Sequence, residues 1–418
     1  MTIEVETPAP EAPPPVAPLP SSQVGNVAGI SQEAWATAVA AKVGPRTKIG
    51  AFEQVHVFWL AGMSCDGCSI AVLGATAPSV ESLLTGALPG VPIVYLHHTA
   101  VQLEAGDAYM EPMWRAWRGE LGAPYVIVYE GSIADETRAG TTGGYWSAVG
   151  EEGEGPAETR RQIPSAEWVR RLAPGAAAVM AIGTCATWGG IPAAFGNVTG
   201  SMSVTDFLGH DYRSALGLPV VNIPGCSPVG DNFTETVAAV LLFLQGVGPL
   251  PEFDDLGRPA WLFGETVHRT CTRAGYYEEG AFAEEYGGKE CLVHLGCWGP
   301  VVNCNIGSRG AINHVGGCMN VGGVCIGCTM PGFPDKFAPF YKAPPGTLIS
   351  STASRLTGSF VRPLRRMTQR DRNREAHWDR TGEPPTGWGA YSKPTWVDRL
   401  VHGAYDRMRH SDTAAKDR

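Results

Sequence analysis

The residues able to do chemistry here are eleven cysteines and a histidine. Seven of the cysteines crowd between His268 and Cys328: Cys271, Cys291, Cys297, Cys304, Cys318, Cys325 and Cys328. The residues around them are rich in glycine and lack apolar periodicity, so the segment must fold around something other than an ordinary core. Thiolates at this density are ligands for iron–sulfur clusters or zinc. His268-x2-Cys271 and Cys291-x5-Cys297 together supply one imidazole and three thiolates, a set that either zinc or a cluster accepts. Cys304, Cys318, Cys325 and Cys328 supply four more. Cys65, Cys68, Cys185 and Cys226 make a third set, and no cysteine is left over. Buried structural thiols are the ordinary alternative for free cysteine, but they have no reason to divide into fours. Zinc is the stronger competitor. Against it stand three sites of long, irregular spacing, including 116 residues between Cys68 and Cys185, unlike any finger or ribbon.

The elements that must position these ligands are legible in the first half of the chain. VHVFWLAG (55–62), PIVYLHH (92–98), YVIVYEG (125–131), AAVMAIG (177–183) and LPVVNIPG (218–225) are nearly continuous apolar runs. Strands of a parallel sheet covered on both faces look like this. Helical patterns lie between or after them, at Ser79–Leu88, Tyr109–Leu121, Ser165–Leu172 and Asp231–Gly246. This alternation predicts an α/β domain with a doubly wound parallel sheet of flavodoxin-like type. Ligands of such sheets bind outside the carboxyl ends of the strands. Cys65 and Cys68 follow the first strand, Cys185 the fourth and Cys226 the fifth. Four thiols from three strand ends are therefore expected at one point.

Domain organisation follows. Residues 1–48 form an N-terminal extension whose proline-rich start, EAPPPVAPLP, cannot offset the entropy of ordering, with a helix expected at Ser31–Val43. Residues 49–249 are the flavodoxin-like domain. Residues 250–341, opened by the linker 250–259, are an irregular iron–sulfur domain. Residues 342–418 are an extended, basic tail with one short helix near Trp396–His410. From Arg355 onward the tail carries fourteen Lys and Arg against eight Asp and Glu, although the whole chain has a net charge of −9. That acidic balance gives no reason to expect nucleic acid. An odd number of cysteines, several in C-x2-C pairs, argues against a secreted disulfide framework. The N-terminus shows no signal peptide, and no apolar run approaches the roughly 20 residues needed to span a bilayer. A cytoplasmic location is expected, with peripheral membrane association as a variant. His97, His98, His210 and His294 lack ligand-pair spacing, and satisfied or exposed histidines are expected there. GTTGG (140–144) lacks the GxGxxG and GK[ST] patterns, so it is expected to be a surface loop.

The motifs also resemble a known family. WLAGMSCDGCS, IGTCATWGGIPA and VVNIPGCSPVGDNF are similar to the three proximal-cluster motifs of nickel–iron hydrogenase small subunits. HRTCTRAGYYEEGAFAEEYGGKECLVHLGCWGP resembles the family's distal-cluster region, and GGVCIGCTMPGFPD the end of its medial-cluster region. The resemblance spans residues 50–340. It implies an electron-relay subunit without a catalytic residue of its own, paired with a large subunit that carries nickel and iron and oxidises H2. Cys65, Cys68, Cys185 and Cys226 would hold the proximal cluster; Cys304, Cys325 and Cys328 match the medial positions; His268, Cys271, Cys291 and Cys297 match the distal ones. An obligate heterodimer, doubled into a dimer of heterodimers, and a redox protein or quinone as acceptor are further implications. The lack of an export signal and membrane tail points to the soluble actinobacterial-type uptake group.

The departures from the family pattern matter. Cys318 stands where many relatives carry proline, and a fourth thiolate favours a 4Fe–4S medial centre, which makes all three clusters 4Fe–4S. Asp66, inside C-x-G-C, offers a carboxylate that could replace a proximal thiolate. Ser64 and Ile70 replace glutamates common in the family, which weakens a proton route through those positions. Gly67 leaves the chain without the extra cysteines of the membrane-bound oxygen-tolerant type. Two alternatives differ in class: a zinc-stabilised scaffold or assembly protein, and a cluster-bearing relative of an NADH–quinone oxidoreductase subunit, which lacks the medial and distal motifs.

Overall fold

The computed structural model describes residues 51–139, 144–156, 159–344, 347, 349 and 351–356. The helices expected at Ser31–Val43 and Trp396–His410, the proline-rich start and nearly all of GTTGG lie outside these residues.

Five strands form one parallel sheet. The chain runs β1 (Gln54–Ala61), α1 (Gly67–Leu73), α2 (Val80–Leu84), β2 (Ile93–His98), α3 (Asp107–Arg118) and β3 (Tyr125–Glu130). It continues through β4 (Ala148–Glu152), β5 (Arg161–Pro164), α4 (Ser165–Leu172), β6 (Ala178–Ile182), α5 (Gly183–Trp188), β7 (Val221–Ile223) and α6 (Gly230–Leu244). The spatial order is β2-β1-β3-β6-β7, with every neighbouring pair parallel. Setting aside the small β4–β5 hairpin, this is the 2-1-3-4-5 order of flavodoxin-like sheets.

The unbroken hydrophobicity of the strands has a direct cause. Phe58, Leu60, Ile127, Tyr129, Val179 and Ala181 face α3 and α4, packing on Met110, Met113, Trp168 and Leu172. Their alternating neighbours Val57, Trp59, Val126, Val128, Met180 and Ile182 face the other way, onto Leu83, Phe233, Val237 and Leu241. Both faces are buried, so neither set of alternate positions can be polar. Several elements differ from expectation, among them the unanticipated short helices α1 and α5. The fifth strand is only Val221–Ile223, α2 stops at Leu84, and the β4–β5 hairpin was not anticipated because its strands are short and largely polar.

Beyond α6 the regular alternation ends. Residues 260–309 contain only helices of four or five residues and 3-10 turns. Their core is small and partly made of the ligands themselves: Cys297, Cys304 and Cys325 pack among Val267, Leu292, Val302, Met319, Phe333 and Phe337. Paired amides fasten this segment to the sheet domain. Asn232 Nδ2 donates to Asn305 Oδ1 (2.9 Å), and Asn305 Nδ2 returns the bond to Asn232 Oδ1 (2.8 Å). Trp188 Nε1 donates to the Thr329 carbonyl at 3.2 Å. Among the described residues no helix is long and apolar enough to cross a membrane.

One buried pair makes the sheet edge sensitive to acid. His56 Nδ1 lies 2.8 Å from His97 Nε2, with the rings stacked across β1 and β2. Burial holds both imidazoles down to about 4, and for His56 the neighbouring His97 adds to it. The unfolded chain takes up these protons near pH 6.5, the folded chain only near 4. Stability is therefore complete above 6.5 and lost as pH falls toward 4. Thermal melts across that interval should show the loss, and His97→Gln should flatten it. An equally steep slope in the variant would contradict this origin.

Candidate functional site

The inner site is assembled at the carboxyl ends of the sheet. Cys65 lies in the loop after β1, Cys68 in the first turn of α1, Cys185 in α5 after β6, and Cys226 after β7. Main-chain bonds lock these loops together. Gly62 N–H donates to the Glu130 carbonyl and Met63 N–H to that of Ser132, tying the β1 loop to the end of β3. Thr184 N–H donates to the Gly225 carbonyl, and Gly225 N–H donates back to Thr184 Oγ1 at 3.1 Å, tying α5 to the β7 loop. Glycines make room for the sulfurs. A Cβ at Gly183 would lie 2.3 Å from Cys68 Sγ, and one at Gly190 2.8 Å from Cys185 Sγ. Both glycines have positive φ, a conformation that other residues rarely adopt. Asp66 occupies the left-handed region at φ 58° and is exposed.

Burial pushes the Cys68 thiol far up, with Glu130, Cys185, Cys65 and Cys226 adding to it, and pushes Cys185 up to about 11. The four thiols thus feel one another. Gathered as thiolates without a counter-charge they would repel, which is the signature of a site built for a cation-rich guest.

The middle set is deeper. Cys304 and Cys325 are buried and Cys318 and Cys328 partly so. Desolvation drives Cys304 up to about 12, and it drives Cys318, Cys325 and Cys328 upward as well. The outer set is His268 in the short helix Val267–Thr270, Cys271 capping it, Cys291 and Cys297. Tyr277 meets the His268 ring edge-on, centroids 4.8 Å apart. Burial drives Cys271 up to about 11 and Cys291 up to about 12.

The sets adjoin in a fixed order. The hydroxyl of Thr184, next to Cys185, donates to the Cys328 carbonyl, linking inner to middle. Cys325 N–H donates to Cys297 Sγ at 3.3 Å, linking middle to outer. All eleven cysteines are free thiols. Among the described residues, no group of three or more His, Cys, Asp or Glu side chains is placed to hold a single metal ion. The donor set, the glycine cradle and the buried thiols all suit iron–sulfur clusters.

Two charged residues that the sequence did not single out sit against these sets. Glu130 ends β3 and is 1% exposed beside Cys68. Arg273, 4% exposed, follows Cys271. A carboxylate closing the apolar run YVIVYE was a visible signal; Arg273 had none. His98 and His210 are satisfied, the first by Ser69 Oγ and the Ala100 N–H, the second by exposed Asp206. His97 keeps one unpartnered ring nitrogen.

Comparison with known proteins shows the family. Residues 263–341 match the C-terminal family of the NiFe/NiFeSe hydrogenase small subunit, and residues 65–240 match the NADH ubiquinone oxidoreductase 20 Kd subunit family. The periplasmic NiFeSe hydrogenase small subunit of Desulfomicrobium baculatum is 34% identical over 294 residues, covering 70% of this chain and 88% of that one. The Escherichia coli hydrogenase-2 small chain is 33% identical over 287 residues, covering 67% and 68%. A solved actinobacterial-type NiFe-hydrogenase from Ralstonia eutropha H16 superposes with a TM-score of 0.73 at 47% identity, over 82% of this chain and 98% of that one. The match to residues 263–341, where the outer and middle sets lie, disfavours both the zinc scaffold and the NADH–quinone oxidoreductase subunit. The chain belongs to the nickel–iron hydrogenase small-subunit family and is an electron-transfer subunit.

Proposed function

We propose that this protein passes electrons from a nickel–iron site on its large-subunit partner to an acceptor, through three 4Fe–4S clusters held by twelve residues. Cys65, Cys68, Cys185 and Cys226 hold the proximal cluster, Cys304, Cys318, Cys325 and Cys328 the medial one, and His268, Cys271, Cys291 and Cys297 the distal one. The observation that carries this is continuity: Thr184, beside Cys185, bonds the Cys328 carbonyl, and Cys325 N–H bonds Cys297 Sγ, so each set adjoins the next. Bound clusters supply one-electron redox chemistry; the chain's own part is to ligate, space and desolvate them. Asp66 is the one carboxylate placed within the proximal motif to substitute for a thiolate, with cysteine the softer default.

The large subunit fits the face around Cys65 and Cys226, both of which reach the surface. Ile70 and Leu73 on α1, the helix after Cys65, and Ile191, Phe195 and Val198, which follow α5 and Cys185, stand exposed, Phe195 by 99%. Exposed apolar residues in this number suit an interaction surface. A cytoplasmic heterodimer of the actinobacterial-type uptake group, able to double into a dimer of heterodimers, is the assembly proposed, with the domain limits 49–249 and 250–341. The acceptor, a redox protein or a quinone, is expected near the distal set.

Three outcomes test this. The co-purified complex should be brown, contain iron and nickel, and bleach under H2; a colourless, zinc-bearing chain would refute it. Cys318→Ala should convert the medial centre to 3Fe–4S, seen as a new EPR signal in the oxidised complex, whereas an unaltered spectrum would remove Cys318 from the ligands. His268→Cys adds a negative charge at the distal site and should retain a cluster while slowing H2-dependent acceptor reduction. Unchanged turnover in that variant would remove His268 from the exit.

A further inference from the structure

Two buried charges of opposite sign lie at the two ends of the ligand path. Glu130 accepts from Cys68 N–H (3.1 Å) and Ser69 N–H (3.3 Å) at Oε1. Its Oε2 accepts from Trp59 Nε1–H at 3.0 Å and from the Ser69 hydroxyl. The direction of that last bond is set from outside. Ala100 N–H donates to His98 Nδ1 (3.0 Å), so His98 Nε2 carries the hydrogen and donates to Ser69 Oγ (2.9 Å). Ser69 must then turn its own hydrogen to Glu130. Four donors converge on two oxygens, and such a site suits an acceptor-only carboxylate. Its negative charge bears on Cys68 and Cys185.

Arg273 is the counterpart at the outer end. Its guanidinium donates to the carbonyls of Met319 (3.1 Å), Gly288 (2.6 Å) and Glu290 (2.9 Å), and its backbone N–H donates to Cys271 Sγ at 3.3 Å. Carbonyls orient the cation without cancelling it, and its positive charge bears on Cys271, Cys291 and Cys297. The middle set has no equivalent. Arg258 approaches Cys304, but it is paired with the Asp254 carboxylate at 2.8 Å. Glu278, which faces His268, is exposed and screened by solvent.

We infer that these two charges give the relay its direction, Glu130 holding the inner site's reduction potential down and Arg273 holding the outer site's up. The inference rests on the ligand sets proposed above. Adding an electron next to a buried anion is disfavoured, and next to a buried cation favoured, because low-dielectric surroundings screen neither. Each transfer moves one electron outward, oxidising the inner site and reducing the outer, with no bond made and no proton moved. Glu130 and Arg273 are positioning residues: each also anchors a ligand loop, Glu130 through Cys68 N–H and Arg273 through Gly288 and Glu290.

Redox titration of the purified heterodimer, followed by EPR, separates charge from anchoring. Glu130→Gln should raise the inner midpoint and leave the outer one in place, and Arg273→Gln should lower the outer midpoint and leave the inner one. Glu130→Asp and Arg273→Lys keep the charges and should restore most of each shift. Unmoved midpoints in the Gln variants at full iron content would overturn the inference. Should a variant lose its iron, the wild-type protein still decides, because the inner midpoint must lie below the outer and the reverse order refutes the gradient. Failure of the ligand sets reads differently, as an inner EPR signal unaltered by Cys68→Ser, and it would take the inference down with them.

Discussion

Eleven thiols crowded into one protein repel each other once they ionise. Thiolates are the ligating species, yet burial and mutual repulsion keep Cys68, Cys291, Cys304 and Cys325 protonated in the bare chain. Only a guest with compensating positive charge would let them ionise together. On the ligand sets proposed above, ligation and proton release would be one event, and the free energy of ligation would become folding free energy wherever cysteines make up the core. The two halves of the molecule meet this constraint in different ways.

In the sheet domain the cysteines are peripheral. Two apolar layers cover the five strands, and Cys65, Cys68, Cys185 and Cys226 sit in the loops and first helical turns at the carboxyl edge. In the segment after α6 the cysteines are structural. Cys297, Cys304 and Cys325 occupy core positions, and the helices around them are too short to stand alone. The inner site thus inherits its geometry from a rigid scaffold, whereas the middle and outer sites supply much of their own. The paired amides of Asn232 and Asn305, with the bond from the Thr184 hydroxyl to the Cys328 carbonyl, hold the two regions in register.

Much of this was legible in the chain itself. Five strands, the helix Ser165–Leu172 to the residue, and the placement of four thiols at strand ends all follow from apolar periodicity and from the rule that parallel sheets bind at their carboxyl edge. The eleven cysteines and His268 were countable, and the motifs around them pointed to the family that the comparisons show. The short last strand and the β4–β5 hairpin were not legible, since a three-residue strand and a polar hairpin carry little periodic signal.

The sequence by itself determined what kind of chemistry the protein does, because ligand identity and strand-to-cysteine spacing are local properties of the chain. Tertiary structure alone decided which cysteine segments adjoin, and where Glu130 and Arg273 fall. Thr184 lies 144 residues from Cys328, Glu130 lies 62 from Cys68, and Arg273 reaches the carbonyl of Met319. Contacts of that range are set by how layers pack and loops close, which no local pattern encodes. The difference is physical: residue type sets which groups could bind a metal, but only the packed fold sets which charges surround them.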